Sequence, residues 1–185
     1  MAFIVVYDAN VLYGNAMRDL LIRIARDGRL VQAKWTDRIL DEMLTNLQRN
    51  RPDIPNARLR ILRERMNAAV RDCRVTGYEL LAEALELPDP DDQHVLAAAI
   101  RSGAQVIVTA DLKGFPADKL SPWGIEAKSP DDFVLDQIGI DARVVYACIQ
   151  EIANTRQNPP CTLDDVLTEL ERAGFVQSVA ALRTG

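Results

Sequence analysis

The chain has 185 residues, of which 48% are hydrophobic and 26% charged, and its formal net charge is −5. These values are ordinary for one globular domain whose core needs no disulfide bonds. They exclude a membrane-spanning protein, because no apolar stretch reaches the roughly 18 residues of a transmembrane helix. No signal-peptide pattern precedes the first predicted strand, so we expect an intracellular, cytoplasmic protein.

Histidine and cysteine usage narrows the possible chemistry. A single histidine excludes a histidine-rich metal site and a two-histidine nuclease mechanism. Cys73, Cys148 and Cys161 are odd in number and far apart, which disfavours disulfides and zinc and favours small buried side chains. Neither GxGxxG nor GxxxxGK[ST] occurs, so no phosphate-binding loop is predicted.

The first half of the chain predicts one strand followed by helices. Residues 3–7 are continuously apolar, which is typical of a central strand buried on both faces. Helical periodicity follows up to Gly28, a second helix begins at Thr36 or Asp37, and a third covers 56–72. We predict a short second strand at 73–76 and a further helix at 78–85.

The second half alternates between helices and strands before it becomes wholly helical. Asp89 caps a helix that ends at Gly103. Strands are predicted at 106–109 and 123–127, and Ser129 begins the next helix. Helices at 142–155, 163–172 and 175–182 form a tail that is either a satellite subdomain or a partner-binding arm. The whole order favours an α/β fold with a mostly parallel sheet covered by helices on both faces.

Two acidic residues lie at the ends of the two apolar strands. Asp8 directly follows residues 3–7, and Asp111 follows residues 106–109 after one alanine. Because ligands bind at the carboxyl ends of parallel strands, we expect both carboxylates at one edge of the sheet. Asn10 and Thr109 lie beside them and could position the loop or donate a hydroxyl. The simpler interpretation of either acid alone is a helix cap or a turn.

A third acid, Asp92, lies in the first turn of a helix. It precedes Val95 by three residues and Leu96 by four, so it shares the face that the helix buries. Asp91 is intermediate, and the sequence does not fully separate it from Asp92. His94 projects about 200° away, so we expect a surface or groove residue rather than a ligand.

The fourth candidate is Glu42, which lies off the apolar stripe of its helix. Asp41 lies off the other flank of that stripe, so periodicity does not decide which of the two reaches the site. A solvated surface position is the simpler interpretation for each. Clustered carboxylates are tolerated mainly when paired or bound to a metal, and their oxygen ligands suit Mg²⁺ or Mn²⁺ rather than zinc.

Residues 49–74 carry eight arginines against three acidic residues, in a chain that is acidic overall. Such a helix could bind phosphates locally. It could equally be a solvated surface with intrahelical ion pairs. Both interpretations stay open at this point.

Four segments resemble, in order, the motifs of PIN-domain ribonucleases, and the branch they are most similar to is the VapC-like toxins of toxin–antitoxin pairs. The segments are Asp8-Ala9-Asn10-Val11-Leu12, Ile39-Leu40-Asp41-Glu42, Asp89 to Ala99, and Val108-Thr109-Ala110-Asp111. The resemblance implies a three-layer α/β/α nuclease domain at 1–135 and a helical C-terminal extension at 136–185. Two departures are Ala9, where many members have Thr or Ser, and Ala110, where many toxins have Arg.

The resemblance also implies residue roles and partners. Asp8, Glu42, Asp92 and Asp111 match the acidic quartet, of which Asp8, Asp92 and Asp111 would hold Mg²⁺ or Mn²⁺ during hydrolysis of an RNA phosphodiester. Asn10 and Thr109 match its supporting polar residues. An RNA substrate, a cognate antitoxin and a homodimer are the implied partners, and the candidate RNA-binding set is Arg58, Arg60, Arg63 and Arg65.

Three other classes have acidic pockets at strand ends. A receiver-type signalling domain needs paired acids after the first strand, and a haloacid-dehalogenase phosphatase needs DxD there; the segment Asp8-Ala9-Asn10 has neither. A catalytically inactive PIN-like binding module fits the same residues as the ribonuclease. Cleavage of RNA distinguishes these last two.

Overall fold

The computed structural model describes residues 3–27 and 30–184. Gly28, predicted to end the first long helix, lies outside the described residues. The strands are β1 (Phe3–Tyr7), β2 (Val31–Lys34), β3 (Val106–Val108) and β4 (Glu126–Lys128). The helices are α1 (Ala9–Tyr13), α2 (Asn15–Asp27), α3 (Asp37–Asn50), α4 (Asn56–Ala69), α5 (Glu79–Glu83), α6 (Gln93–Ser102), α7 (Ala117–Leu120), α8 (Pro130–Thr155), α9 (Leu163–Arg172) and α10 (Val176–Thr184), with 3₁₀ turns at Pro90–Asp92 and Ser121–Trp123.

The described strands form one parallel sheet in the order β2-β1-β3-β4. The central strands are buried on both faces, as Val5, Val6 and Tyr7 show in β1, whereas the edge strand β2 alternates between buried and half-buried residues. This confirms the α/β class and the central strand predicted from the uninterrupted apolar run. All carboxyl ends of these strands lie along one edge.

Helices cover both faces of this sheet. The connection from β1 to β2 and the connection from β2 to β3 run in opposite directions across the sheet, so right-handed crossovers place them on opposite faces. On one face α2 packs against α8, and on the other α6 packs against β1 and β3. The arrangement confirms a three-layer fold and leaves the strand ends accessible between the layers.

The predicted strand at 73–76 is wrong, since this segment makes only an isolated bridge from Arg74 to Trp35. The second strand is β2, which the sequence prediction missed because Gln32 and Lys34 alternate with small apolar residues over a short span. The strand predicted at 123–127 is also displaced, because Trp123 ends a 3₁₀ turn and β4 begins at Glu126.

The C-terminal helices pack onto the rest of the chain. α8 breaks at Asp141, where the backbone leaves the helical region, and α9 and α10 return against α8. Asp131 accepts hydrogen bonds from the backbone N–H groups of Gln177 and Ser178, each at 2.9 Å. None of the helices within residues 3–27 and 30–184 has the length and apolar character needed to cross a membrane.

Candidate functional site

Asp8 combines the two roles that the sequence left as alternatives. Its Oδ1 accepts a hydrogen bond from the Ala9 N–H at 2.7 Å and so caps α1, while Oδ2 accepts from the Thr109 hydroxyl at 2.8 Å. Burial raises the pKa of Asp8, and the hydrogen bonds from Thr109 and Ala9 only partly offset this. Asp8 is therefore a buried carboxylate at the carboxyl end of the central strand.

Asn10 and Thr109 join the ends of β1 and β3. The Asn10 side-chain amide donates to Asp8 Oδ2 at 2.8 Å and to the Thr109 hydroxyl oxygen at 3.1 Å. Its carbonyl oxygen accepts from the Ala110 N–H at 2.9 Å, and the Asp111 N–H donates to the Thr109 hydroxyl at 3.1 Å. This network holds the segment that carries Asp111 beside Asp8.

Asp92 and Asp111 converge on one point above this network. A Cβ atom added to Gly114 would lie 2.7 Å from Asp92 Oδ2 and 3.0 Å from Asp111 Oδ2. Gly114 also donates its N–H to Asp111 Oδ1 at 3.2 Å. Because glycine has no side chain, it leaves open a space beside the two carboxylates that a Cβ atom would occupy only if they shifted.

The carboxylates are close enough to influence each other's charge. Partial burial raises the pKa of Asp92 to about 6, and the nearby charges of Asp8, Asp89 and Asp111 act in the same direction. Like charges that share a site disfavour ionisation, and a bound cation reverses this effect. The site thus has the electrostatic character of a cation-binding pocket.

A divalent cation fits this donor set only with additional water ligands. Within residues 3–27 and 30–184, no three His, Cys, Asp or Glu side chains lie close enough together to hold a metal ion by themselves. Mg²⁺ usually retains several waters and binds through one or two carboxylates, so a complete cage is unnecessary. The oxygen donors and the space kept open by Gly114 are compatible with such an ion.

The structure distinguishes Asp91 from Asp92, which the sequence did not fully separate as candidates for the site. Asp91 is 89% exposed and lies 3.8 Å from Arg38, whereas Asp92 points toward Gly114. Asp89 caps the 3₁₀ turn by accepting from the Asp91 N–H at 2.9 Å, as predicted.

Glu42 and Asp41 face different neighbours. Asp41 lies on the outer flank of α3 and pairs with Arg63 of α4 at 2.6 Å. Glu42 Oε1 lies 2.9 Å from His94 Nε2 and 3.2 Å from Arg38 Nε. Burial raises the pKa of Glu42, but the contacts with His94 and Arg38 outweigh it and leave the pKa below its usual value. The negative charge of Glu42 also raises the pKa of Asp8, so Glu42 lies on the side of α3 that faces the site.

His94 is expected to be a surface or groove residue; it lines a groove, as expected, but it is not exposed at the surface. Its side chain is 1% exposed and lies beneath a groove of about 250 Å³ between α3, α5 and α6. Helical phase correctly directed it away from Asp92, but α5 and Tyr78 cover that side of α6. The periodicity of α6 alone does not reveal that a second face of this helix is covered by another element.

The arginine set does not form one surface. Arg58 and Arg65 are seven residues apart and share a face of α4, whereas Arg63 turns toward α3 and pairs with Asp37 and Asp41. Arg58 is exposed and lines a groove of about 500 Å³. Arg60 and Arg65 are exposed as well. Of these four arginines, Arg63 is the one that forms ion pairs with the described residues.

Sequence reasoning missed Gly114 and the contact between His94 and Glu42. The signal for Gly114 was weak: a glycine three residues after a strand-end acid is common in loops. The contact of His94 joins two helices 52 positions apart in the chain, and no local pattern encodes it.

Comparisons with known proteins match this architecture. A PIN-domain family model matches residues 4–113, and a model of the VapC50 C-terminal domain matches residues 130–184. A curated Mycobacterium tuberculosis protein named "Putative ribonuclease VapC50" is 46% identical over 79 residues, which cover 43% of this chain and 47% of that protein. The matched region thus spans about half of the curated relative. No solved structure matches the chain significantly. The PIN-domain match covers more than half of the sequence and includes Asp8, Glu42, Asp92 and Asp111, so the chain belongs to the PIN-domain family.

Proposed function

We propose that the protein is a metal-dependent endoribonuclease that hydrolyses RNA phosphodiester bonds and acts as the toxin of a toxin–antitoxin pair. The observation that carries this proposal is the convergence of Asp8, Asp92 and Asp111 at the carboxyl edge of a parallel sheet. Three neighbouring carboxylates repel one another, and a divalent cation offsets that repulsion. The name of the curated relative, a ribonuclease, supports the choice of RNA as substrate.

In this proposal Asp8, Asp92 and Asp111 hold Mg²⁺ or Mn²⁺. When bound, such an ion activates water and neutralises the charge that develops on the departing oxygen. Asn10 and Thr109 keep Asp8 in place through their hydrogen bonds, so little reorganisation is needed when the substrate arrives. No side chain of the site is required as a covalent nucleophile.

Glu42 has a different role from the three metal-binding acids. Its lowered pKa keeps the carboxylate ionised near neutral pH, and Oε1 is already occupied by contacts with His94 and Arg38. The second oxygen, Oε2, is then suited to accept a hydrogen bond from the attacking water. We therefore assign Glu42 to orientation of the attacking water. The exposed arginines Arg58, Arg60 and Arg65 are assigned to contact with RNA phosphates.

The proposal includes the organisation of the whole protein. Residues 1–135 form the nuclease domain, and 136–185 form a helical extension packed on it. The protein acts in the cytoplasm as a homodimer, and a cognate antitoxin blocks the acidic pocket. The similarity of residues 130–184 to the VapC50 C-terminal domain supports the toxin assignment.

The test is cleavage of single-stranded RNA by the purified protein with Mg²⁺ or Mn²⁺. We expect cleavage that stops on addition of EDTA and that is lost in Asp8→Asn, which retains the size of the side chain but removes its charge. Asp118→Asn, an exposed aspartate of α7, is the matched control and should cleave normally.

Two results would contradict the proposal. Unchanged cleavage by Asp8→Asn would show that the acidic pocket is not the active site. RNA binding by the wild-type protein without any cleavage would favour a binding module instead.

A further inference from the structure

The contact between His94 and Glu42 links two helices across the edge of the site. His94 is on α6 and 1% exposed, and its Nε2 lies 2.9 Å from Oε1 of Glu42 on α3. The ring is not oriented for an ideal hydrogen bond, but the distance is that of a direct polar contact. The groove over the ring is lined by Arg38, Tyr78 and Gln93 among others.

Only one oxygen of Glu42 is engaged. Arg38 Nε also contacts Oε1, at 3.2 Å, whereas Oε2 makes no hydrogen bond or ion pair among the described residues. Arg38 is half exposed, and an exposed pair of this spacing contributes little. The Glu42 carboxylate thus accepts a hydrogen bond from a half-exposed guanidinium and lies at a shorter distance, 2.9 Å, from a buried imidazole.

Apart from Glu42, the surroundings of His94 in the described part of the chain provide no polar partner that would explain a histidine at this position. Both ring nitrogens are buried, and neither makes a hydrogen bond of acceptable geometry in the part of the chain that the structure describes. Buried polar atoms are normally satisfied, so a purely structural histidine would be expected to pair both nitrogens. An apolar side chain would fill the same space without this cost.

We propose that His94 is a positioning residue, which holds Oε1 of Glu42 so that Oε2 faces the acidic pocket. The proposal rests on the proposed nuclease function, because the oriented oxygen matters only if Glu42 acts on the attacking water. His94 itself touches neither substrate nor metal. Its effect is transmitted entirely through Glu42.

Two substitutions of His94 test the roles of its two ring nitrogens separately. His94→Gln places an amide N–H near the position of Nε2, whereas His94→Asn is shorter and places its amide near Nδ1. We expect His94→Asn to lower kcat by about tenfold with KM nearly unchanged, a typical effect of removing a side chain that orients a functional group. His94→Gln should stay within about threefold of the wild type in kcat.

A double-mutant cycle with Glu42→Gln decides whether the effect passes through Glu42. If it does, His94→Asn should cost about tenfold in the wild-type background and almost nothing once Glu42 is Gln. Equal losses in both backgrounds, or an equal loss in His94→Gln and His94→Asn, would overturn the proposal and leave His94 a structural residue. Urea unfolding of each variant verifies that the compared proteins are folded.

The same set of proteins distinguishes failure of this proposal from failure of the proposed function. A wild-type protein that cleaves RNA, together with additive effects in the cycle, overturns only the role of His94. A wild-type protein that does not cleave RNA with either metal overturns the nuclease function and, with it, this role.

Discussion

The hydroxyl group of Thr109 lies 2.8 Å from Oδ2 of Asp8, and both residues are buried between the ends of β1 and β3. This one contact joins residues 101 positions apart in the chain. It ties the strand-end carboxylate to the segment that presents Asp111. The geometry of the acidic pocket thus depends on a small hydrogen-bond network as well as on the acids.

Removing the hydroxyl of Thr109 should destabilise the protein. Thr109→Val keeps the shape of the side chain but leaves the Asp111 N–H without its acceptor and Asp8 with one donor fewer. We expect a decrease of about 1–3 kcal/mol in the free energy of unfolding, measured in urea. Thr109→Ser retains the hydroxyl and should be clearly less destabilised. Equal stability of Thr109→Val and the wild type would show that the network contributes nothing.

Gly114→Ala should impair the site without unfolding the protein. The added methyl group would lie 2.7 Å from Asp92 Oδ2, so the carboxylates of Asp92 and Asp111 must rotate away. Misplacement of a functional group by about 1 Å costs about 100-fold in rate, so we expect RNA cleavage to fall by that order.

Gly139→Ala is the matched control for this substitution. Gly139 is exposed on α8 and has open space around its Cβ position, so alanine should leave cleavage unchanged and stabilise the helix by about 0.5–1 kcal/mol. Cleavage by Gly114→Ala at the wild-type rate would place the reacting centre elsewhere.

The pH dependence of stability should report the repulsion at Asp92. Its pKa in the folded protein is about 6, above the ordinary value of 3.8. The folded state therefore binds more protons than the unfolded state between these values, and the contribution of Asp92 to stability decreases as pH rises from about 4 to about 6.

In protein that is kept metal-free with EDTA, Asp92→Asn should remove this decrease in stability with rising pH. We expect the variant to exceed the wild type by about 1 kcal/mol at pH 7 and by little at pH 4, since water screens a group that is only partly buried. The measurement is urea unfolding across this pH range, with the exposed Asp91→Asn as control. A difference between Asp92→Asn and wild type that does not change with pH would contradict the raised pKa.

The arginines of α4 should separate into two groups. Arg58→Ala together with Arg65→Ala should weaken RNA binding and reduce the slope of log affinity against log salt by about 0.7 for each phosphate that is no longer neutralised. Arg63→Ala should instead lower stability slightly, because Arg63 pairs with Asp37 and Asp41. Binding titrations at several salt concentrations measure the slope. An unchanged slope in the double variant would remove this face of α4 from the RNA interface.

Much of the fold was predictable because its central elements have strong local signals. The continuous apolar runs at β1 and β3 identified the buried strands, and Asp89, Gly103 and Ser129 correctly marked helix ends. The elements that were missed are short. β2 has four residues and α1 has five, and such lengths do not display a clear period.

The candidate site was predictable to the extent that it follows from strand ends. Asp8 comes directly after one predicted strand and Asp111 two residues after another, so the topology of a parallel sheet places both at one edge. Helical phase alone left Glu42 and Asp41 equivalent, and family resemblance selected Glu42. In the tertiary structure Asp41 faces α4 and Glu42 faces α6, and local periodicity did not reveal this difference.

The sequence by itself therefore determined the fold class, the central strands and the edge on which the acids lie, because these depend on local periodicity and chain order. Only the tertiary structure decided that His94 is buried against Glu42, that Gly114 leaves room between Asp92 and Asp111, and that Arg63 is paired. Each of these depends on contacts between elements distant in the chain. Such contacts are fixed by packing of the layers, for which no single helix or strand carries a signal.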